Sequence, residues 1–343
     1  MRYSTFLIHR VLLSVLVLLG LSLLIFVIAR VIPGDPARIA LGPLASRAQI
    51  AALRAQMYLD EPLPVQYAHY VRGVVRGDFG ESLYTHRPVT TDLHDLFPAT
   101  LELVLYAGLL MVAVGVPLGI LAASYRDTWV DTLVRLISLG GVVTPAFVWA
   151  IVLMLIFAYA LGVLPVAGRL SAGAVPPPPV TGLVTIDALL DRNPATYLDF
   201  LRHLVLPAVS LALAGVAQAA RLTRASMVDV AGRPFIEAAR AFGISNARIA
   251  LKYMLKPSLI PTVTILGLDF AALLGNAFLV EAVFNWPGIA RYGVQVILRK
   301  DLNAIVAVVI IMGLFFVVIN FLIDILVGYL DPRIRLRQAD EAA

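Results

Sequence analysis

The sequence predicts an all-α polytopic membrane protein with six transmembrane helices and both termini cytoplasmic. Three observations carry that expectation. Of 343 residues, 60% are apolar and only 14% charged, with a mean hydropathy of +0.89; a soluble domain carries about a quarter charged residues. Several separate apolar runs reach the roughly 20 residues needed to cross a ~30 Å hydrocarbon core. Those runs are unbroken rather than alternating, which makes them helices and not barrel strands, because backbone in lipid must satisfy its own hydrogen bonds.

Taken in order, the chain begins with a short basic stretch ending in His9 and Arg10. An apolar run follows from Val11 and continues to Ile32, closed by Pro33, Gly34, Asp35 and Pro36. A signal peptide has a shorter apolar core of ~7–15 residues and a small-residue cleavage site, so residues 1–32 are expected to hold an uncleaved first span. Residues 33–99 read as an extracytoplasmic loop with amphipathic helices. Ser46 and Gln49 have capping-box spacing, ahead of a helix with Ile50, Leu53 and Met57 on one side. A second run, residues 65–76, puts Tyr67, Tyr70, Val71 and Val74 on one face, where tyrosines suit a membrane interface. The stretch Gly77-Asp78-Phe79-Gly80-Glu81-Ser82 reads as a tight turn.

Residues 100–343 are expected to form a core with five further spans. They cover residues 101–123, with Pro117 as a kink, then 136–162 with Pro145 inside, 204–220 with Pro207 near its start, 259–280 and 304–326. Between the third and fourth spans, Pro176 to Pro179 predict a stiff extended strap. Tyr197, Leu198, Leu201 and Leu204 predict a short interfacial helix after it.

Positive residues set the orientation. Arg2, Arg10, Arg126, Arg135, Arg221, Arg224, Arg233, Arg240, Arg248, Lys252, Lys256, Arg333, Arg335 and Arg337 all fall in the terminal segments, the link after the second span and the loop after the fourth. These regions are expected on the cytoplasmic side. The loops at 33–99, 164–203 and 281–303 are then expected outside.

No catalytic residue, cofactor site or metal site is expected. The lysines are Lys252, Lys256 and Lys300, and none follows a glycine, so no phosphate-cradling Gly-x-x-x-x-Gly-Lys-Ser/Thr loop exists. His9, His69, His86, His94 and His203 are scattered, and there is no cysteine. A membrane enzyme is therefore a poor reading. Three acids lie in or near spans: Glu102, Asp269 and Asp324. Such acids are costly in lipid and mark polar pathways or interior bonds. Glu102, near a span end, suits an interior hydrogen bond. Asp269, nearest mid-span, is a candidate for the pore, and Asp324 for an interhelical contact.

The most basic connection is the loop at residues 225–261. Phe235 to Phe242 predict a short helix with Glu237 in its first turn, where the helix dipole favours an anion. Ala238, Ala239 and Ala241 form a low surface, and Gly243 can end the helix in a left-handed conformation. Ser245 can cap a second, basic helix that Pro257 ends. From the residues alone, this loop is either an amphipathic helix on the headgroups or a knob for a soluble partner.

Glu237-Ala238-Ala239-Arg240-Ala241-Phe242-Gly243, followed by Leu259-Ile260-Pro261, resembles the EAA loop of binding-protein-dependent ABC importer permeases. Residues 60–67 and 77–82 resemble the first outer loop of the B-type permease of dipeptide and oligopeptide importers. So do residues 98–103, 144–147, 203–207, 220–224, 281–288 and 330–333, in order along the chain. Two features depart from the pattern. The spacing from Gly243 to Pro261 is long, and Tyr58 stands where the family usually has glycine.

The resemblance implies a type I ABC importer permease fold in the bacterial inner membrane. It implies a second (C-type) permease subunit, one or two ABC ATPase subunits that bind ATP and Mg, and an extracytoplasmic peptide-binding protein. The helix bearing Glu237, Ala238, Ala239, Arg240, Phe242 and Gly243 would couple to an ATPase, with Ala238 and Ala239 permitting close approach. Asp269, Asn276 and Glu281 become candidates for the pore or gate, and Asp78, Phe79, Glu81 and Trp286 for the binding-protein contact. No nucleic acid is implied. The alternative from another class is an ion-coupled secondary transporter acting without ATPases, with the loop as a surface helix.

Overall fold

This computed structural model describes residues 3–31, 35–42, 45–56 and 58–330. The tail arginines Arg333, Arg335 and Arg337, together with Arg2, Pro33, Gly34 and Met57, lie outside the described residues. Helices in chain order are α1 (Tyr3–Val31), α2 (Pro36–Leu41), α3 (Arg47–Gln56), α4 (Leu63–Val75), α5 (Val89–Ser124), α6 (Trp129–Val143), α7 (Ala146–Leu153), α8 (Val184–Leu190), α9 (Pro194–Ala231), α10 (Pro234–Ala241), α11 (Asn246–Arg248), α12 (Leu255–Val283), α13 (Ile289–Leu298) and α14 (Leu302–Leu330). Wider π-helical turns, Met154–Ala160 and Ile249–Met254, follow α7 and precede α12. Among the described residues there is no strand, only an isolated bridge between Glu81 and Pro88. Among the described residues, five helices are long and apolar enough to cross a membrane, and six spans result if the bent α6–α7 pair is counted as one.

The described residues divide into two units: residues up to Pro98 with Gly288–Val317, and Ala99–Pro287 with residues from Val318 onward. In the first unit the capping box forms as its sequence predicts. Gln49 N–H donates to Ser46 Oγ at 3.2 Å, and Ser46 N–H to Gln49 Oε1 at 2.9 Å. The tyrosines of α4 turn against α1. Tyr67 meets Phe26 edge-on with ring centroids 5.3 Å apart, Tyr70 stacks on it at 5.7 Å, and the Tyr67 hydroxyl lies 2.8 Å from Ser22 Oγ. Tyr58, at the position where the family usually has glycine, has φ +55° and stacks on His69. The turn at 77–82 holds Gly77 and Gly80 at positive φ, with Asp78 Oδ1 accepting from Gly80 N–H. Asp301, ahead of α14, accepts from Ser82 Oγ at 2.6 Å and from Tyr84 N–H at 3.1 Å, and so pins that turn.

The second unit is built around α9. Asn193 caps its start through Thr196 N–H at 3.0 Å, and Pro194 takes the first turn, where its missing N–H costs nothing. The expected interfacial helix and fourth span merge. α9 runs unbroken through Pro207 for 38 residues, about 57 Å at 1.5 Å per residue, far more than a ~30 Å core requires. α5 likewise carries Pro117 within continuous helix and begins at Val89 instead of residue 101.

The third expected span is the one that breaks. α6 and α7 meet at 107°. Thr144 there has φ −87° and ψ +123°, the extended geometry that the following Pro145 imposes by clashing with an α-helical predecessor.

Small residues let helices approach α9 closely. Gly115 and Gly119, four apart on α5, face Ala219 and Thr223. A Cβ on Gly119 would sit 2.5 Å from Thr223 Cβ and 2.6 Å from the Ala220 carbonyl. On α6, Gly141 meets Ala217 in the same way. This is the small-residue packing that membrane helices use where no hydrophobic effect drives them together. Gly119→Ala is expected to destabilise the purified chain by about 1–3 kcal/mol through overpacking. Gly140→Ala, whose Cβ meets nothing within 4 Å, is expected to be neutral or stabilising by up to about 1 kcal/mol from helix propensity. Thermal unfolding in detergent compares the two.

Candidate functional site

α10 is the helix of the EAA-like segment. Pro234 begins it, Glu237 lies in the first turn and Arg240 in the last, both favourable to the helix dipole. Its end is a Schellman motif: Gly243 N–H donates to Arg240 O at 2.9 Å and Ile244 N–H to Ala239 O at 3.2 Å, with Gly243 at φ +71°. The space around Gly243 is open, so glycine is required there by the backbone conformation and not by crowding.

One side of α10 is sealed into the chain. Ile236 (0% exposed) and Ala239 (5%) join Ala123 at the end of α5, Met227 of α9, and Ile249, Ala250 and Met254 ahead of α12. This corrects the sequence expectation for Ala239. Its small side chain serves internal packing and does not face outward. Phe235, Glu237, Ala238, Arg240 and Phe242 are exposed, Phe242 at 85%. Phe235, Ala238 and Phe242, at i, i+3 and i+7, form one apolar stripe on that outer side.

The second helix does not end at Pro257. From Asn246 the chain is helical through to Val283, with Pro257 and Pro261 inside. The π-helical turn at Ile249–Met254 lies just ahead of Pro257, where proline removes a donor and crowds the preceding carbonyl turn. The long spacing from Gly243 to Pro261 is therefore a helix leading straight into α12, turned against α10 at Gly243.

The other expected site residues separate by environment. Asp78 and Glu81 are exposed and Phe79 half-buried at the outer turn. Trp286 is not a surface residue. It is 0% exposed, its indole N–H donates to Ala99 O at 3.0 Å, and its ring lies 5.8 Å from that of Phe200. Glu281, also 0% exposed, accepts from Thr100 Oγ1 at 2.6 Å, which places it in the interior rather than on an open lumen.

Glu102 forms the interior bond that its position predicts. It accepts from Thr185 N–H at 2.8 Å and Thr185 Oγ1 at 2.6 Å, and pairs with Arg169. The Arg169 guanidinium lies over the Phe200 and Trp286 rings at 5.5 and 5.7 Å. Asp324 is half-buried on α14. On α12, Asp269 is half-buried and Asn276 exposed.

The Asp131–Arg224 pair has no counterpart in the sequence reading. Arg224 of α9 grips Asp131 of α6 through two nitrogens, Nη2 to Oδ2 at 2.7 Å and Nε to Oδ1, and Asp131 is fully buried. The partners are 93 positions apart. The available hint was an acid at the start of an otherwise basic-flanked span. Asp131→Ala is expected to cost about 1.5–3 kcal/mol by leaving the half-buried Arg224 guanidinium without its partner. Asp131→Leu with Arg224→Leu should recover most of that loss in the same thermal unfolding measurement.

Comparison with known proteins places this geometry. Residues 115–336 match the family described as binding-protein-dependent transport system inner membrane component, and residues 3–104 match the N-terminal region of such membrane components. A probable D,D-dipeptide transport system permease of Escherichia coli is 41% identical over 93% of this chain and 94% of its own length. A di/tripeptide transport system permease of Pseudomonas aeruginosa is 38% identical over 92% and 94%. A glutathione transport system permease of Salmonella typhimurium is 36% identical over 93% and 95%. A crystal structure of the inward-facing MetNI methionine ABC transporter shares the fold, with TM-score 0.50 at 17% identity over 68% of this chain and 93% of that one. The chain is a multi-pass inner-membrane protein and belongs to the family of binding-protein-dependent transport system inner membrane components.

Proposed function

We propose that this chain is a permease subunit of an ABC importer for short peptides, working with a second, non-identical permease, separate ATPase subunits and an extracytoplasmic peptide-binding protein. Supporting the cargo class, the relatives above are named for dipeptide, di/tripeptide and glutathione transport. ATP and Mg would be held by the ATPases, in keeping with the lack of any phosphate-binding loop in this sequence. The ion-coupled carrier acting alone is not favoured, since the family is that of binding-protein-dependent systems.

The observation that carries the coupling role is the two-sidedness of α10. Its inner face is locked to the ends of α5 and α9 and the beginning of α12, while Phe242 stands out at its tip. An ATPase groove that took up the stripe of Phe235, Ala238 and Phe242, with Glu237 and Arg240 as charged register contacts, would move three helices by moving one. Closure of the ATPases on ATP would turn the permeases outward, the binding protein would release its peptide into the cavity, and hydrolysis would reset the cycle. The outer turn bearing Asp78, Phe79 and Glu81 is the exposed candidate for the binding-protein contact.

In the reconstituted complex, Phe242→Ala is expected to lower peptide-stimulated ATP hydrolysis about tenfold, the effect of losing one aromatic anchor of a little over 1 kcal/mol. Gly243→Val should do the same by forcing a β-branched residue into left-handed backbone, whereas Gly243→Asn, which tolerates that conformation, should keep most activity. Full stimulation in both Phe242→Ala and Gly243→Val would remove α10 from the coupling role.

A further inference from the structure

One side of the second unit carries polar groups beside the middle of an apolar span. Asp269 sits midway along α12. Asn276 follows seven residues later, on the same side of the helix. Other positions of α12 pack inward, Leu266 with Met111 and Ala219, Gly267 against Ile323 and Phe270 against Gly108, while Leu268 and Leu279 are exposed on a further, apolar side. Along one side of α9, Ala214 and Gln218 are half-buried and Arg221 and Ala225 exposed, while Gly215, Ala217, Ala219, Ala220 and Thr223 around them are buried.

The groups on this face are incompletely partnered. Asp269 Oδ2 is buried without a hydrogen-bond partner among the described residues. The charged side chain whose field reaches Asp269 is Arg221. Arg221 itself donates to the neutral Gln218 Oε1 at 2.6 Å and makes no ion pair among the described residues. A carboxylate midway along a membrane-spanning helix is too costly to face hydrocarbon and belongs on a water-filled path or a protein contact. One acid, one base and two amides on a low alanine-lined wall complement a short zwitterion. A carboxylate takes an ammonium, a guanidinium takes a carboxylate in two parallel bonds, and carboxamides serve peptide groups.

We propose that Asp269 and Arg221 hold the ammonium and carboxylate ends of a peptide in transit, with Gln218 and Asn276 serving its amide groups. This assigns the open face of α9 and α12 as the wall of the translocation path, and it rests on the peptide-importer reading above.

The test uses the complete complex, with its binding protein and a dipeptide, in proteoliposomes. The chain has no cysteine, so single cysteines report on it cleanly when labelling is read by mass spectrometry of this subunit. Asp269→Cys and Gln218→Cys are expected to react with a membrane-impermeant methanethiosulfonate, and dipeptide-loaded binding protein with ATP should slow that reaction. Leu268→Cys, exposed on another side of α12, should not react.

Asp269→Asn and Arg221→Gln are each expected to lower peptide delivered per ATP hydrolysed about tenfold, the loss of one charge-assisted contact. Asp269→Glu should restore most of it. Unchanged delivery per ATP in both neutral variants, or equal labelling at 268 and 269, would overturn the proposal. So would loss of the second permease on purification of Asp269→Asn, which would make Asp269 a subunit contact. A wild-type complex in which dipeptide stimulates neither uptake nor ATP hydrolysis would instead remove the importer reading itself.

Discussion

Apolar side chains gain little by leaving lipid for the surface of another helix, so a membrane core must be held by close contact and by polar bonds. Close approach to α9 is that contact here. Gly115 and Gly119 bring α5 onto Ala219 and Thr223, Gly141 brings α6 onto Ala217, and Met111 fills the space that Gly215 leaves. Each of these positions has room for hydrogen and not for a methyl group. Over residues 212–225, where these contacts fall, α9 can therefore be closely packed while carrying Leu213, Val216 and Leu222 as its large apolar residues. Its small-residue composition is the condition for everything that packs on it.

Polar groups then fix the rotation of each helix. Glu102 of α5 meets Arg169 and the start of α8 at Thr185, and Arg169 lies over Phe200 and Trp286. Glu281, near the end of α12, is tied to Thr100 of α5. Asp131 and Arg224 lock α6 to α9. A buried charge without its partner is far costlier than a misplaced leucine, so these bonds admit one register. They also make the unit a body that can transmit displacement, since the same helices that they bind converge on the cluster beneath α10.

α10 differs from the rest in its asymmetry. It is short, it ends at a left-handed Gly243, and it presents phenylalanines outward in a chain whose other large exposed apolar residues lie mostly on long spans. One of its faces is packed against the chain's own helix ends and the other is exposed. The polar side of α9 and α12, with Arg221 and Asp269, is also incomplete: Asp269 Oδ2 lacks a hydrogen-bond partner among the described residues.

Much of this was legible in the sequence because the signals are local. Apolar run length located the spans, Ser46 with Gln49 located a helix start, and Gly243 located a helix end, since each depends on residues within one or two turns of each other. The EAA-like run likewise marked the helix now seen as α10. Proline was the weak point, because one residue type has three outcomes: Pro207 and Pro117 stay within helix, Pro145 breaks one, and Pro257 follows a π-helical turn. Which outcome occurs depends on whether neighbouring helices can support the altered backbone, and no local pattern contains that information.

The inward turn of Ala239, the burial of Trp286, and the pairing of Asp131 with Arg224 or of Glu102 with Arg169 are also products of packing between segments far apart in the chain. The sequence by itself determined the all-helical class, roughly where the spans run and where the short helix of the EAA-like run lies. Only the tertiary structure decided which side of each faces inward, because that depends on the shape and charge of the neighbour that each helix meets.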